Sequence, residues 1–552
     1  MKMSVRKSWM LALVGSVLLS GTGAGNPKAY AESATASDKH AVKNVIMIIP
    51  DGMGNTITSM TRWYNGGTPL TVDQYASGLV RTYASDSITT DSGAAASAYA
   101  TGHKAVSESL SILPAKVTMP GIASTKSGEA NKPVPTIMEA ARLAGKSTGL
   151  VFTCTLDDAT PDAFATHAVS RNDSENITKQ MVYSGVDVVL GGGAALLKPE
   201  GKEGGGRSDG LDLTKALKAQ GYDYVTSKGG MDKSQSNKLW GLFQPWNLDA
   251  DFDRNPKQQP SLAEMTTKSL SILSKNPNGF FLMVEASDID TFGHEDDPVG
   301  MVSETLAYDR AVKVAMDFAK KDGNTAVISM ADHNTGGLYL SSYDSAKQFG
   351  AVMKKAKLTN HAIRSKISKD GSNLKQVLEQ WYGLSGLSSK ELAEIKGELK
   401  KEEGDFSGAI GRKLGEKAGI SFAHEDHTSE EVVLYAYHPN NFKPADYLHS
   451  GVIQNTDVNK YVQYITGLNL DELNNKLYAT GHDIRALGAA VKFDNSDKAY
   501  PTAVIEKNGT KIRLAVNKNY ALVNGQKKTL EIPTLLIDNR FWVSRTVLEL
   551  LK

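Results

Sequence analysis

Several short, unbroken runs of apolar and largely β-branched residues constrain this chain more than any other feature, because most of them end in an acidic or glycine-rich turn. Val45 to Ile49 passes through Pro50 to Asp51, and the run at 148–153 leads to Asp157 and Asp158. The run at 186–190 enters Gly191-Gly192-Gly193, that at 280–284 meets Glu285, and that at 325–330 meets Asp332 and His333. A further run occupies 432–437. Continuous rather than alternating hydrophobicity marks strands covered on both faces. Helical patterns lie between them, at 136–144 before Gly145, 213–220 before Gly221, 262–274 and 302–321. Strands alternating with helices predict an α/β chain: a three-layer α/β/α fold with a mostly parallel central sheet. Ligands of such sheets bind beyond the carboxyl ends of the strands, where the acids and histidines of this chain stand.

The 552 residues, 40% of them hydrophobic, suffice for one large domain and a small one. With 62 basic and 61 acidic side chains, no net field draws the chain to nucleic acid or an anionic membrane. Lys2, Arg6 and Lys7, an apolar stretch at 9–19 and the small-x-small Ala29-Tyr30-Ala31 read as a signal peptide over 1–31, so the mature chain is expected to be secreted. No later segment is long and apolar enough to span a membrane. The single cysteine, Cys154, excludes an intrachain disulfide and reads as a buried small hydrophobe. The main domain is expected over 32–493. It carries a Lys/Glu/Leu/Ala-rich insertion at about 338–420, read as two to four helices with a solvated charged face. Asn508-Gly509 and Asn524-Gly525 signal hairpins in a small C-terminal module over 494–552. The module resembles small extracellular modules found beside surface proteins of Gram-positive bacteria, a likeness that implies contact with the cell surface.

In Asp91-Ser92-Gly93-Ala94-Ala95-Ala96 a serine stands where a polar turn gives way to a helix of small residues. The free N–H groups and dipole of a helix N-terminus favour an anion, which suits a serine that becomes an alkoxide or carries a phosphoryl group. An ordinary N-terminal serine is the plainer reading of that stretch alone. Four other segments weigh against it: Asp51-Gly52-Met53-Gly54, Glu285 through Asp290 to His294, Asp332-His333, and His424-Glu425-Asp426-His427. Each by itself reads as turn or surface. Together they supply carboxylate and imidazole without thiolate, the donor set of a catalytic zinc or similar divalent ion.

These motifs, with Thr90-Asp91-Ser92-Gly93-Ala94, Asp158-Ala159-Thr160-Pro161, Arg171 and His427-Thr428, occur in the order found in alkaline phosphatases, which the chain closely resembles from about Asn44 to Tyr437. The resemblance implies a secreted phosphomonoesterase acting on small phosphate monoesters, releasing inorganic phosphate and serving phosphate scavenging. It implies Ser92 as the nucleophile that forms a phosphoserine and Arg171 as a bidentate phosphate clamp. It further implies two zinc ions, one on Asp290, His294 and His427 and one on Asp51, Asp332 and His333. A magnesium on Asp51, Thr160 and Glu285, with Asp158 beside it as ligand or neighbour, completes the set. It also implies a homodimer. Thr291 and Asp158 depart from relatives that carry lysine and histidine at those places.

Competing chemistries fit less well. Ser92 lacks the Gly-x-Ser-x-Gly turn of an acyl-transfer triad and the Cys/Ser-x-Pro-x-Arg context of a sulfatase. A phosphodiesterase of the same superfamily would usually carry threonine as nucleophile and no magnesium site. A surface-binding protein with a degenerate catalytic domain would not need an intact set of ligands.

Overall fold

The computed structural model describes residues 39–201, 204–399 and 408–552. The expected signal peptide lies outside them. Eight strands in chain order, β1 (Asn44–Pro50), β2 (Ala76–Arg81), β3 (Ser147–Val151), β4 (Val188–Gly191), β5 (Asp223–Val225), β6 (Leu239–Leu242), β7 (Phe280–Ala286) and β8 (Thr325–Ser329), join Val432–Tyr437 and Val452–Gln454 in one ten-stranded sheet. β1 sits near its middle, paired in parallel with β7 on one side and β8 on the other. The order continues through β3, β4, β6 and β5 on the β7 side, all in parallel. Beyond β8 the strand Val432–Tyr437 runs antiparallel to both its neighbours, β8 and β2. This is the expected three-layer α/β architecture with a mostly parallel sheet.

Every residue of β1, β7 and β8 is buried, as their unbroken apolar sequence requires. All six sequence runs become strands. β2, β5, β6 and Val452–Gln454 escaped sequence reading because they are three to six residues long, and β2, β5 and Val452–Gln454 are partly exposed. The 25-residue helix Pro298–Asp322 starts on a cap from Asp297, whose carboxylate accepts from the Val299 N–H, and buries one long side against the sheet.

The insertion is closed at its base by the antiparallel pair Leu338–Leu340 and Ile420–Phe422. Five helices lie between them among the described residues, not two to four: Ala346–Met353, Asn360–Arg364, Leu374–Trp381, Ser389–Glu398 and Ala409–Ala418. They are only five to ten residues long, and two of them, capped by Ser345 and Ser388, begin on a capping box, so each offers few turns by which to separate it from its neighbours in sequence. Beneath its charged face the insertion has an apolar interior, with Ile363, Leu378, Tyr382, Ile395 and Leu414 joining the main core.

At the C-terminus an antiparallel sheet runs in sequence order through Ala490–Asp494, Thr502–Lys507, Thr510–Ala515, Tyr520–Val523 and Gln526–Thr529. Asn508-Gly509 and Asn524-Gly525 make two of its turns, all four residues at positive φ. Its first strand begins before residue 494, at Ala490, and its core, including Ile484, Ile505, Ile512, Leu514 and Val543, is separate from the main one. The module is nonetheless stitched to the main body. Tyr478–Thr480 pairs with Arg540–Ser544, while Ile532, Leu535, Ile537 and Trp542 belong to the main core. Among the described residues no helix is long and apolar enough to cross a membrane.

Candidate active site

The carboxyl ends of β1, β7 and β8 lie side by side, so Asp51, Glu285 and Asp332, far apart in sequence, meet over the centre of the sheet. Just beyond β1, Gly52 has a positive φ of 70°, and a Cβ there would stand 2.7 Å from the Asp290 Cα and 2.8 Å from the Thr335 hydroxyl. Only glycine allows the turn that brings Asp51 this close to the segment carrying Asp290. The Gly52 N–H donates to Asp332 Oδ1 at 3.2 Å, tying the two turns together.

Ser92 opens the helix Ser92–Thr101, whose Ala-rich face is wholly buried. Its cap is Asp91, not Ser92. The Asp91 carboxylate accepts from Gly93 N–H at 2.9 Å, Ala94 N–H at 3.3 Å and Glu108 N–H at 2.8 Å. The Ser92 hydroxyl is thereby left to the site, where it lies 3.1 Å from His333 Nε2.

Two groups of donors flank that hydroxyl. Ligand atoms of Asp290, His294 and His427 converge within 4.8 Å of one another, and so do those of Asp51, Asp290 and His333. Asp290 therefore belongs to both groups. His294 Nε2 is 3.1 Å from Asp290 Oδ2, and His427 Nε2 is 3.2 Å from His294 Nε2. Asp332 Oδ2 is 3.1 Å from His333 Nε2, which keeps Asp332 beside the second group. Thr160 Oγ1 donates to Asp51 Oδ2 at 3.2 Å, and Glu285 is buried beneath them. His424 is turned elsewhere, its Nδ1 accepting from the Asp426 N–H.

Outer contacts fix these rings. His427 Nδ1–H donates to the Thr90 carbonyl at 2.9 Å and His294 Nδ1–H to the Glu425 carbonyl, leaving both Nε2 atoms for the site. The Thr335 hydroxyl donates to Asp290 and lies 3.2 Å from His333 Nδ1.

The electrostatics explain what such a cluster needs. Burial, and then the carboxylates of Asp332, Asp290 and Glu285, push Asp51 well above the usual carboxylate range. Burial and then Asp158 do the same to Glu285. Burial disfavours the charge on His294, but the Asp290 carboxylate outweighs it and pushes the ring up to about 9. Burial and then the neighbouring His333 push His427 down to about 4. Asp51 Oδ1 and Glu285 Oε1 are buried without a hydrogen bond. Acid oxygens crowded and left unsatisfied in this way are what bound divalent cations relieve, so the residues fit metal ions.

Arg171 reaches over the same cleft, which has a volume of about 480 Å³. Its Nη2 donates to Asp158 Oδ1 at 3.0 Å, and its Nη1 to Asp91 Oδ2 at 3.4 Å. Burial works against the guanidinium charge, yet Asp158 and Asp91 hold its pKa above the ordinary value. Asp158 is thus turned towards Arg171 and also accepts from the Ala159 N–H at 2.7 Å.

Of the eleven sequence-proposed residues, seven line this cleft and Thr160, Glu285, Asp332 and His333 are fully buried beside them. Four contributors escaped sequence reading. Asp91 carries a visible signal, an acid directly before a small-residue helix. Thr335 and the Glu425 carbonyl carry none. Cys154, read as a buried hydrophobe, is indeed buried, but its Sγ–H also donates to Glu285 Oε2 at 3.3 Å.

A serine at a helix N-terminus, set between two carboxylate–imidazole groups that could hold metal ions at the strand ends of a three-layer α/β/α sheet, is the arrangement of a hydrolase. The alkaline phosphatase sequence model matches residues 42–468, and the chain belongs to the alkaline phosphatase family. It is an enzyme of that family, a phosphoric monoester hydrolase. It is 34% identical over 470 residues to alkaline phosphatase 4 of Bacillus subtilis, covering 82% of this chain and 95% of that one. Identity to the repressible alkaline phosphatase of Saccharomyces cerevisiae is 31%, over 85% of this chain and 89% of the yeast protein. Among solved structures, the Thermus thermophilus alkaline phosphatase superposes with a TM-score of 0.67 at 25% identity, covering 78% of this chain and 92% of that one. The cold-active enzyme of Shewanella gives 0.64 at 26% identity, over 76% of this chain and 98% of that one. Residues 482–550 match a different model, the copper amine oxidase N-terminal domain.

Proposed function

We propose that the chain is a secreted phosphatase that hydrolyses phosphate monoesters through a phosphoserine on Ser92 and serves phosphate scavenging. The observation that carries this reading is the buried Ser92 hydroxyl, 3.1 Å from His333 and flanked by two donor groups that share Asp290. In the first step Ser92 Oγ attacks phosphorus, the bond to the leaving alcohol oxygen breaks, and the phosphoryl group passes to the serine. Water then attacks the phosphoserine, the phosphorus–Oγ bond breaks, and inorganic phosphate leaves. Arg171 orients the phosphoryl group, its planar fork matching two of the non-bridging oxygens while Asp158 and Asp91 fix the fork's plane. Asp91 also caps the helix beneath the nucleophile.

Asp290, His294 and His427 would hold one zinc, Asp51, Asp332 and His333 a second, and Asp51, Thr160 and Glu285 a magnesium with Asp158 close by. When bound, such ions neutralise charge on the phosphoryl oxygens and make serine and water nucleophilic at lower pH. Secretion is supported by the basic and apolar pattern of residues 1–31. Surface contact through the C-terminal module and homodimerisation belong to the same reading.

The test is hydrolysis of a chromogenic phosphate monoester at alkaline pH by chelated protein, before and after zinc plus magnesium, with a phosphodiester in parallel. Metal-restored monoester hydrolysis is expected. Recovery on the diester alone would assign the chain to the phosphodiesterase branch, and no recovery would mark the site as degenerate.

A further inference from the structure

The segments that follow His294 and precede His427 are held by the helical insertion. Asp296, two residues after His294, is 2% exposed at its side chain and has a left-handed backbone with φ of 48°. Glu425, two residues before His427, supplies the carbonyl that receives the His294 Nδ1–H. Arg412, in the helix Ala409–Ala418, joins the two. Its Nη1 donates to Asp296 Oδ2 at 2.6 Å and to Glu425 Oε1 at 2.8 Å, while Nη2 donates to Glu398 at 3.3 Å.

The same helix is seated against this segment without clearance. A Cβ on Gly411 would fall 2.0 Å from the Asp296 carbonyl oxygen and 2.9 Å from the Asp297 Cα. The insertion grips the neighbouring residues as well. Glu295 is ion-paired with His361, and Asp297 accepts from the Tyr382 hydroxyl at 2.6 Å and the Asn360 N–H at 2.7 Å. Residues 295–297, immediately after His294, are thus each held by side chains or backbone of the insertion.

We infer that the insertion is a clamp for the first zinc site and that Arg412 is its positioning residue. Arg412 sets the spacing between the two chain segments that deliver His294 and His427, and so the convergence of their Nε2 atoms. A guanidinium suits this because one planar fork bridges two carboxylates and remains charged at any pH the enzyme meets. Groups that orient metal-ligating histidines typically contribute about 10–100-fold to metal affinity. The inference rests on the proposed zinc site on Asp290, His294 and His427 and adds a residue 118 positions from His294 to its support.

The experiment compares wild type, Arg412→Ala and Arg412→Lys, each loaded with zinc and magnesium and titrated with a chelator while bound metal is counted. Wild type is expected to release its zinc in two steps. Arg412→Ala is expected to release one zinc at a free-zinc level about 10–100-fold higher, with the second zinc and magnesium unchanged. Arg412→Lys is expected to recover only part of the loss, since an ammonium meets the two carboxylates as a point charge. Turnover at saturating metal is expected to approach the wild-type value in both variants. Melting of the metal-free proteins separates positioning from general weakening. Equal loss of all metals together with a lower metal-free melting temperature overturns the clamp, as does zinc release identical to wild type. A wild-type protein that binds no zinc overturns the metal reading itself, which distinguishes that failure from the failure of the clamp alone.

Discussion

Ser92 takes no part in capping its own helix, because the Asp91 carboxylate already satisfies the Gly93 and Ala94 N–H groups. Replacing it with alanine, the best helix former, therefore leaves the fold intact. On the proposed mechanism Ser92→Ala loses turnover by about 10³-fold or more while circular dichroism and melting stay at wild-type values. Near-normal turnover would exclude a phosphoserine on this residue. Arg171→Ala is expected to weaken inhibition by inorganic phosphate by about 10–100-fold, the magnitude of a lost charge-assisted pair. Arg171→Lys should recover only a fraction, because one ammonium cannot replace the fork held by Asp158 and Asp91. Unchanged phosphate inhibition in the alanine variant would remove Arg171 from the site.

At the scale of the element, the long helix Pro298–Asp322 carries a charge that it cannot easily keep. Glu304 is 2% exposed, and burial followed by the charge of Asp288 pushes its carboxyl up to about 8. A folded-state pKa raised above the unfolded value of about 4.3 means that folding favours the protonated acid. The stability this contributes is fully present below about pH 4.3 and is lost as pH rises towards 8. Glu304→Gln keeps an acceptor for the Asp251 N–H but has no proton to lose. It should melt like wild type near pH 4.3 and above wild type at pH 8, with the gap opening between the two. A constant difference across that window would contradict the assignment.

The whole molecule is less divisible than its hairpin signals suggest. Removing residues 494–552 strips the partners from Tyr478–Thr480 and Ala490–Asp494 and takes Ile532, Leu535, Ile537 and Trp542 out of the main core. Burying four such side chains is worth on the order of 6–12 kcal/mol, comparable to the net stability of a typical domain. The truncated chain is expected to be recovered largely insoluble, or to melt many degrees lower. Melting at the wild-type temperature would show that the module is an independent appendage. Arg540, which donates to the Gly128 and Ala130 carbonyls, is one of the stitches that argue against it.

Periodicity determined the class of fold, because unbroken apolar runs bounded by acids and glycines have few ways to be buried other than a covered parallel sheet. Residue chemistry singled out Ser92 at its helix N-terminus and the carboxylates and histidines at strand ends, while the resemblance to alkaline phosphatases added Thr160 and Arg171. Tertiary structure alone decided what those residues touch. Asp290 serves two donor groups because β1, β7 and β8 end together, and Asp158 faces Arg171 because the Glu108 carbonyl holds the Arg171 N–H at the cleft. Cys154 meets Glu285, and Arg412 bridges Asp296 to Glu425, across 131 and 116 positions of chain. Sequence patterns record local periodicity and the chemistry of each side chain. Contacts between distant segments depend on strand order and register, which no local pattern encodes.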